Sequence, residues 1–260
     1  KYMIQQTIFP YKLEIAQEVL TGRSGLALMA EFNHGIGLRE LVNTHLPEPG
    51  SNRGYSPSIF VDPMVLMLQG GGRALEDIRE LKEEAGLMKL IGQSALPSSD
   101  ALGDWLRRMG EGEGLKGLDT IRATINHRIM KRDGVTEYTL DADATGIEAE
   151  KEEALFTYKG YKGYMPMLGF IYEARLCLYD EFREGNTAPA SGQVGFYEEC
   201  KKRMPKGKRI KRYRADSASY QAALINRLEE DFVKYGITAS QDVSVKKAIK
   251  QIPESDWKEP

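Results

Sequence analysis

Hydrophobic residues follow two different periods along this chain. Through the first half they recur at three and four: Leu26, Met29, Ala30 and Phe32 lead into Ile36, and Leu38, Leu41 and Val42 continue until Pro47. Such spacing lays a stripe along a helix. Pro47 to Gly54 is loop by composition. Ser56-Pro57 then supplies an N-cap and a first helical residue, Val61, Val65, Leu66 and Leu68 form the apolar face, and Gly70-Gly-Gly72 ends the helix. A third helix is predicted from Leu75 to Leu90, with Leu75, Ile78, Leu81 and Leu87 or Met88 inward and Glu76, Asp77, Glu80, Lys82 and Glu83 outward. Ser98-Ser-Asp100 caps a fourth that carries Leu102, Trp105, Leu106 and Met109, and a fifth spans about Leu115 to Met130. Ahead of them all, residues 1 to 20 are expected to hold a short extended arm around Ile8-Phe-Pro-Tyr11.

From Glu137 the period becomes two. Glu137-Tyr-Thr-Leu-Asp-Ala-Asp-Ala-Thr145, taken as a strand, places Thr139, Asp141, Asp143 and Thr145 on one face and Tyr138, Leu140, Ala142 and Ala144 on the other. After a polar excursion to Tyr158, strands are predicted at Tyr164–Tyr172 and Arg175–Phe182, with Glu173-Ala174 as the turn. A helix follows from Gln193 to Met204, then a strand from Lys208 to Asp216 with Ile210, Tyr213 and Ala215 for the core. Tyr220, Leu224, Leu228 and Phe232 mark the next helix, Gly236–Ser240 a fifth strand, and Val243–Ile252 a last helix.

Three strands joined by short links are most simply antiparallel neighbours. The predicted order is therefore three antiparallel strands, helix, strand, helix, strand, helix. It is the ribonuclease H-like order, in which the two acid-bearing strands lie side by side at the centre. The fold class expected is mixed α/β, a helical region over residues 1–131 followed by a partial ribonuclease H-like domain over 132–260.

Composition narrows the function classes. Hydrophobic content of 41% and charged content of 28% describe an ordinary globular chain of 260 residues, and no apolar run approaches the length of a membrane span. The two cysteines fit no metal or redox spacing, so a reducing compartment is the default. His34, His45 and His127 are scattered, and Gly70–Arg73 lacks the Lys-Ser/Thr of a phosphate loop. The formal net charge of -2 conceals the stretch from Lys201 to Arg214, which carries basic residues and no acid. A polyanion contact is expected to be local to it. Two acids on one strand face raise the cost of each other's charge, and a hard divalent cation held by oxygen ligands is the natural compensation. A polar solvent face is the plainer reading of the same two residues.

Leu-Asp-Ala-Asp-Ala-Thr145, Thr157-Tyr-Lys-Gly-Tyr-Lys-Gly-Tyr-Met-Pro166, Phe182-Arg-Glu-Gly-Asn186 and Arg214-Ala-Asp-Ser-Ala218 occur in that order. Together with Gly71–Ile78 and Leu96–Asp100 in the first half, they resemble the DDE transposases of bacterial insertion sequences, in particular the group numbered thirteen-eighty. The resemblance implies a DNA transposase that hydrolyses phosphodiesters and transfers strands at the ends of an insertion sequence. Two Asp and a later Glu would hold two Mg²⁺ or Mn²⁺ ions. By position these are Asp143 and Asp216, with Asp141 as second choice or helper. The third acid has no match: Asp242, Glu254, Asp256 and Glu259 all lack the expected context, which puts the Glu beyond Pro260 and predicts poor cleavage by this chain.

The partner implied is double-stranded DNA, with Arg183, Asn186, Lys206, Lys208, Arg209, Lys211, Arg212 and Arg214 as contacts. A homodimer and a cytoplasmic, nucleoid-associated setting in a prokaryote are implied in the same way. Tyr158, Tyr161 and Tyr164 are available to stack on bases, although strand pairing and core packing are the commoner use of such residues.

Two other readings compete. A DNA-binding or assembly module derived from a transposase, with relic acids, predicts affinity without metal. Asp141-Ala-Asp-Ala-Thr145 also satisfies the Asp-x-Asp-x-Thr pattern of haloacid-dehalogenase-type phosphatases, with Asp141 as nucleophile. That fold requires a helical crossover to a parallel strand next, where this sequence offers linked aromatic strands.

Overall fold

The computed structural model describes residues 17–49, 54–93, 95–239 and 241–257. The arm predicted around Ile8 lies outside them. The chain forms two compact units, Lys1–Ile121 and Arg122–Pro260. The sequence expectation set its boundary slightly later, at the end of the helix that runs from one unit into the other.

In the first unit the long apolar spacing is cut into shorter helices: α1 (Ser24–Gly35), α2 (Leu38–His45), α3 (Pro57–Gln69), α4 (Ile78–Glu83), α5 (Ala85–Leu90) and α6 (Ser99–Glu111). Gly37, at φ 71°, breaks the first predicted span, a conformation glycine adopts without penalty. The third span breaks at Glu84, which leaves helical geometry. Next to it, a side chain at Gly86 would meet the Leu20 carbonyl oxygen at 2.6 Å, so the break brings two backbones together where only glycine fits. Ser98 caps α6 as predicted, its hydroxyl accepting the Ala101 N–H at 3.1 Å. Trp105 of α6 stacks on Phe60 of α3, centroids 5.1 Å apart.

The helix α7 (Gly114–Arg132) leads to β1 (Glu137–Ala144). The predicted polar excursion instead contains β2 (Ile147–Glu148), β3 (Leu155–Phe156) and β4 (Lys162–Tyr164), a small sheet of order β2-β4-β3. Then come β5 (Met167–Ile171), β6 (Leu176–Glu181), α8 (Gln193–Lys202), β7 (Arg209–Ala215), α9 (Ala222–Glu230), β8 (Lys234–Ile237) and α10 (Val243–Lys250). The main sheet has order β6-β5-β1-β7-β8. β1, β5 and β6 are antiparallel neighbours, and β7 and β8 run parallel to β1. This is the mixed α/β, ribonuclease H-like order that the sequence predicts.

One face of that sheet is covered. Tyr138, Leu140 and Ala142 of β1, Met167 and Ile171 of β5, and Tyr213 of β7 form one core with Phe196, Tyr197 and Cys200 of α8 and Leu224 and Leu228 of α9. Gly169 lets α8 approach β5: a side chain there would meet Cys200 Sγ at 3.0 Å. Burial pushes the Cys200 thiol up to about 12, so it packs as an inert apolar group.

Ile210 and Tyr213 both face this core although they are three apart, which strict alternation forbids. The ladder explains it: Tyr138 pairs with Ile210 but Thr139 with Arg212, so Lys211 bulges out and resets the phase. The stripe predicted for α9 is shorter than expected. Leu224 and Leu228 are buried, whereas Tyr220 precedes the helix and Phe232 follows it at φ 53°, both exposed.

Candidate active site

The uncovered face of the main sheet carries charge in register. Glu137 pairs across the β1–β7 ladder with Arg209, Thr139 with Arg212, and Asp141 with Arg214. Each acid or hydroxyl on β1 meets a guanidinium from β7. Arg209 Nε donates to Glu137 at 3.1 Å. Arg212 Nε donates to Thr139 Oγ1 at 2.9 Å and its Nη2 to Glu173 at 3.2 Å. Arg214 grips Asp141 with both arms, Nε to Oδ1 and Nη2 to Oδ2, each 2.6 Å, and lies over the Tyr172 ring at 4.4 Å.

Glu173 is a residue that sequence reasoning passed over as a turn. Its carboxylate accepts the Thr139 N–H at 2.8 Å and the Thr139 hydroxyl at 2.7 Å. Burial works against its charge, but the Thr139 bonds and Arg212 outweigh it and hold its pKa below the usual value. Only its folding back from the β5–β6 turn reveals this role, and no local pattern signals it.

The pairing of acid with base stops at the next step. The last ladder pair is Ala142 with Ala215. One residue on, Asp143 ends β1 and Asp216 follows β7 in extended conformation, φ −78° and ψ −173°. Neighbouring strands lie about 4.8 Å apart, so two carboxylates share one edge. Asp143 is exposed and has no hydrogen-bonding or ion-pairing partner among the described residues. Asp216 uses Oδ1 to accept the Ala218 N–H at 3.0 Å, capping the turn Ser217–Ser219.

Oxygen donors from two strand ends, uncompensated by any cation, suit a hard divalent ion. Asp141 does not fit that role in this conformation, because Arg214 occupies both of its oxygens. Among the described residues, no group of three or more His, Cys, Asp or Glu is arranged to hold a metal. A cavity of about 550 Å³ in the helical unit, lined by residues including His34, Arg39, Asp62 and Leu66, includes none of Asp141, Asp143 and Asp216.

The residues expected to contact a polyanion are sorted differently by the structure. Arg183 is only 5% exposed; its guanidinium donates to Ser191 O at 2.9 Å and to Glu181 at 3.2 Å, which ties down the loop after β6. Lys208 pairs with Asp133 at 3.3 Å, and Lys211 Nζ donates to Phe232 O at 2.6 Å. Lys206 and Asn186 are exposed and keep no partner among the described residues. The run from Lys206 to Arg214 is thus largely neutralised from within.

A family model for the transposase DDE domain, group 1, matches residues 12–260. The chain belongs to that family. No curated protein matches it. Among solved structures, a strand transfer complex of Mos1 is 12% identical, covering 90% of this chain and 84% of that one at a TM-score of 0.29. A Mos1 mariner paired end complex with Mn is 12% identical over 89% of this chain and 90% of that one, TM-score 0.27. A piggyBac transposase synaptic complex with hairpin DNA is 11% identical over 92% of this chain and 48% of that one, TM-score 0.36.

DDE transposases generally use divalent metal ions. The phosphatase reading fails on topology: after β1 of this transposase domain the chain makes the short strands β2 to β4 and returns as antiparallel β5, with no helical crossover to a parallel strand, and the would-be nucleophile Asp141 is held by Arg214. Among the described residues, no helix is long and apolar enough to cross a membrane.

Proposed function

We propose that this chain is the catalytic part of a DNA transposase that cuts and rejoins phosphodiesters at the ends of an insertion sequence, of the group numbered thirteen-eighty. The observation that carries the proposal is the last step of the β1–β7 ladder. Three successive steps match acid or hydroxyl to guanidinium; the fourth sets Asp143 beside Asp216 and leaves both without a cation. A fold gains nothing in stability from such a pair, so its use is to hold a divalent ion. Mg²⁺ or Mn²⁺ bound there would act as a Lewis acid on a phosphate oxygen.

The chain's own residues have separable parts in this reading. Asp143 and Asp216 provide oxygen donors from fixed strand ends. Arg214 keeps Asp141 occupied and supports the adjacent strand as a positioning residue. A third acid is proposed to lie beyond Pro260. Lys206 and Asn186 are the proposed DNA contacts that remain free, while the helical region 1–131 is assigned to DNA binding or assembly, with two copies acting on paired ends in the prokaryotic cytoplasm.

The test is nicking of DNA bearing the element's own ends in Mg²⁺ and in Mn²⁺ by the chain carried past Pro260 to include the third acid, for the parent, Asp143→Asn and Asp216→Asn, with DNA binding measured alongside. Loss of cleavage in both variants with binding retained supports the assignment; cleavage that survives either change removes it. A second reading, a non-catalytic DNA-binding module, draws on the absence of a three-ligand group among the described residues. It predicts binding that is indifferent to metal and to both substitutions, and no nicking by the parent.

A further inference from the structure

The small sheet β2-β4-β3 presents one face to solvent, and its register shows which side chains share that face. Ile147 pairs with Tyr164, and Phe156 with Lys162. Lys162 and Tyr164 lie two apart on β4, so these four project together, and Tyr158 lies in the turn that follows β3, two residues after Phe156. Phe182 joins from the strand edge, its ring 4.8 Å from that of Tyr164. Phe156, Tyr158 and Phe182 are 63%, 66% and 65% exposed. Lys162 lies 5.9 Å from the Phe156 ring and Lys159 5.6 Å from the Tyr158 ring.

Neither lysine has an acidic partner among the described residues, in contrast to the guanidinium groups of β7. Glu184, bridged to Tyr164, is an exposed carboxylate on the same side. The platform is stiff. A side chain at Gly163 would meet Ile147 O at 2.0 Å, and one at Gly185 would meet the Gly163 and Leu155 carbonyl oxygens at 2.3 Å, so four backbone segments are in close contact. Tyr161 is not part of the face, since its hydroxyl packs against Gly146.

We propose that this face holds unpaired nucleotides of a DNA strand beside the acids, with bases stacked on Phe156, Tyr158 and Phe182 and phosphates drawn by Lys159 and Lys162. The inference rests on the transposase reading for its substrate. Open aromatic faces alternating with free cations are the combination that binds single strands, and paired bases inside a duplex have no free face to offer. Position agrees with chemistry. Ile147 is four residues from Asp143, a span of at most about 14 Å at ~3.5 Å per residue, or roughly four nucleotides of one strand at ~3.4 Å each.

The experiment compares a forked DNA carrying a single-stranded arm with a fully paired duplex of the same sequence, in Ca²⁺ so that binding is read without cleavage, at fixed salt. 2-Aminopurine in the arm reports stacking. Phe156→Ala, Tyr158→Ala and Phe182→Ala are each expected to weaken fork binding about tenfold, with duplex binding changed less than about twofold and stacking fluorescence recovered. Tyr158→Trp is expected to keep fork binding and the quenched 2-aminopurine signal, which a merely misfolded platform would not allow. Equal loss on fork and duplex, or no loss on either, overturns the inference. So does a sedimentation shift showing that the alanine variants dissolve a dimer of the parent, because a second copy would then be the occupant. Asp143→Asn separates the two proposals: its preference for fork over duplex is expected to persist while nicking is lost. If nicking persists, the catalytic reading fails and the platform is judged on fork binding alone.

Discussion

The two faces of the main sheet are built from alternating residues of the same strands, with the Lys211 bulge resetting the alternation in β7, yet they are stabilised in different ways. On the covered side, Tyr138, Leu140, Ala142 and Tyr213 are buried under α8 and α9. On the open side, Asp141, Arg214, Phe170 and Tyr172 remain partly in water, and order is kept by ion pairs and by the Arg214 fork. Buried apolar area stabilises strongly and without direction; exposed charge stabilises weakly but fixes geometry. The covered face therefore holds the sheet together, and the open face is free to carry chemistry.

The largest test of that contrast is a pair of neighbouring substitutions. Leu140→Ala removes a fully buried side chain from the covered face and is expected to cost about 2–5 kcal/mol in denaturant unfolding. Asp141→Ala, one residue away on the open face, is expected to leave the unfolding midpoint nearly unchanged. Comparable losses for the two would show that the Arg214 network bears much more of the stability than its exposure allows.

Acid is the next largest perturbation, and it acts mainly where charge meets the edge of the core. Asp231 lies under α8, accepting the Tyr197 hydroxyl at 2.8 Å and pairing with Lys201 and with Arg227. Burial raises its pKa, but Lys201, Tyr197 and Arg227 outweigh burial, and the net shift is downward. Asp133 is lowered likewise: burial opposes its charge and is outweighed by Tyr138, the Val135 N–H and Lys208. A carboxylate with a depressed folded pKa adds stability above its unfolded value, about 4, and loses it as pH falls through the folded value. Thermal melts are thus expected to be level from neutral pH to about 5 and to drop below about 4. Asp231→Asn should flatten that drop while lowering the neutral plateau. A drop of unchanged depth would assign acid sensitivity to Asp133 or to the open face instead.

The covered face was the legible one. Alternation in Tyr138, Leu140 and Ala142, and the spacing of Leu224 and Leu228, are local patterns, and local patterns survive in sequence. Ile210 and Tyr213 were recognisable as core residues, but the Lys211 bulge that reconciles them appears only when β7 is paired with β1. The open face was harder because its partners come from distant positions. Asp141 and Asp143 look equivalent in Asp-Ala-Asp, and only the register shows that Arg214 meets one and nothing meets the other. The basic run looked like a free cationic surface for the same reason: Glu137, Asp133 and Glu173, which occupy its charges, lie some forty to seventy-five positions upstream. The small sheet was missed since β2 and β3 are two residues each, too short for any period to register.

The smallest expected effect is the one that sharpens the contrast most. If Asp143 and Asp216 stand together without a cation, then in metal-free, low-salt buffer they repel, and Asp143→Asn is expected to raise the melting temperature slightly, the opposite sign to a typical substitution. Added Mg²⁺ or Mn²⁺ should then stabilise the parent, since a ligand that binds only the folded state shifts unfolding by mass action, and should leave Asp143→Asn unmoved. Asp141→Asn should respond to metal as the parent does, because Arg214 and not the ion occupies that carboxylate. A parent that ignores metal, or an Asp141→Asn variant that loses the response, would move the ion away from the strand ends and towards the guanidinium ladder.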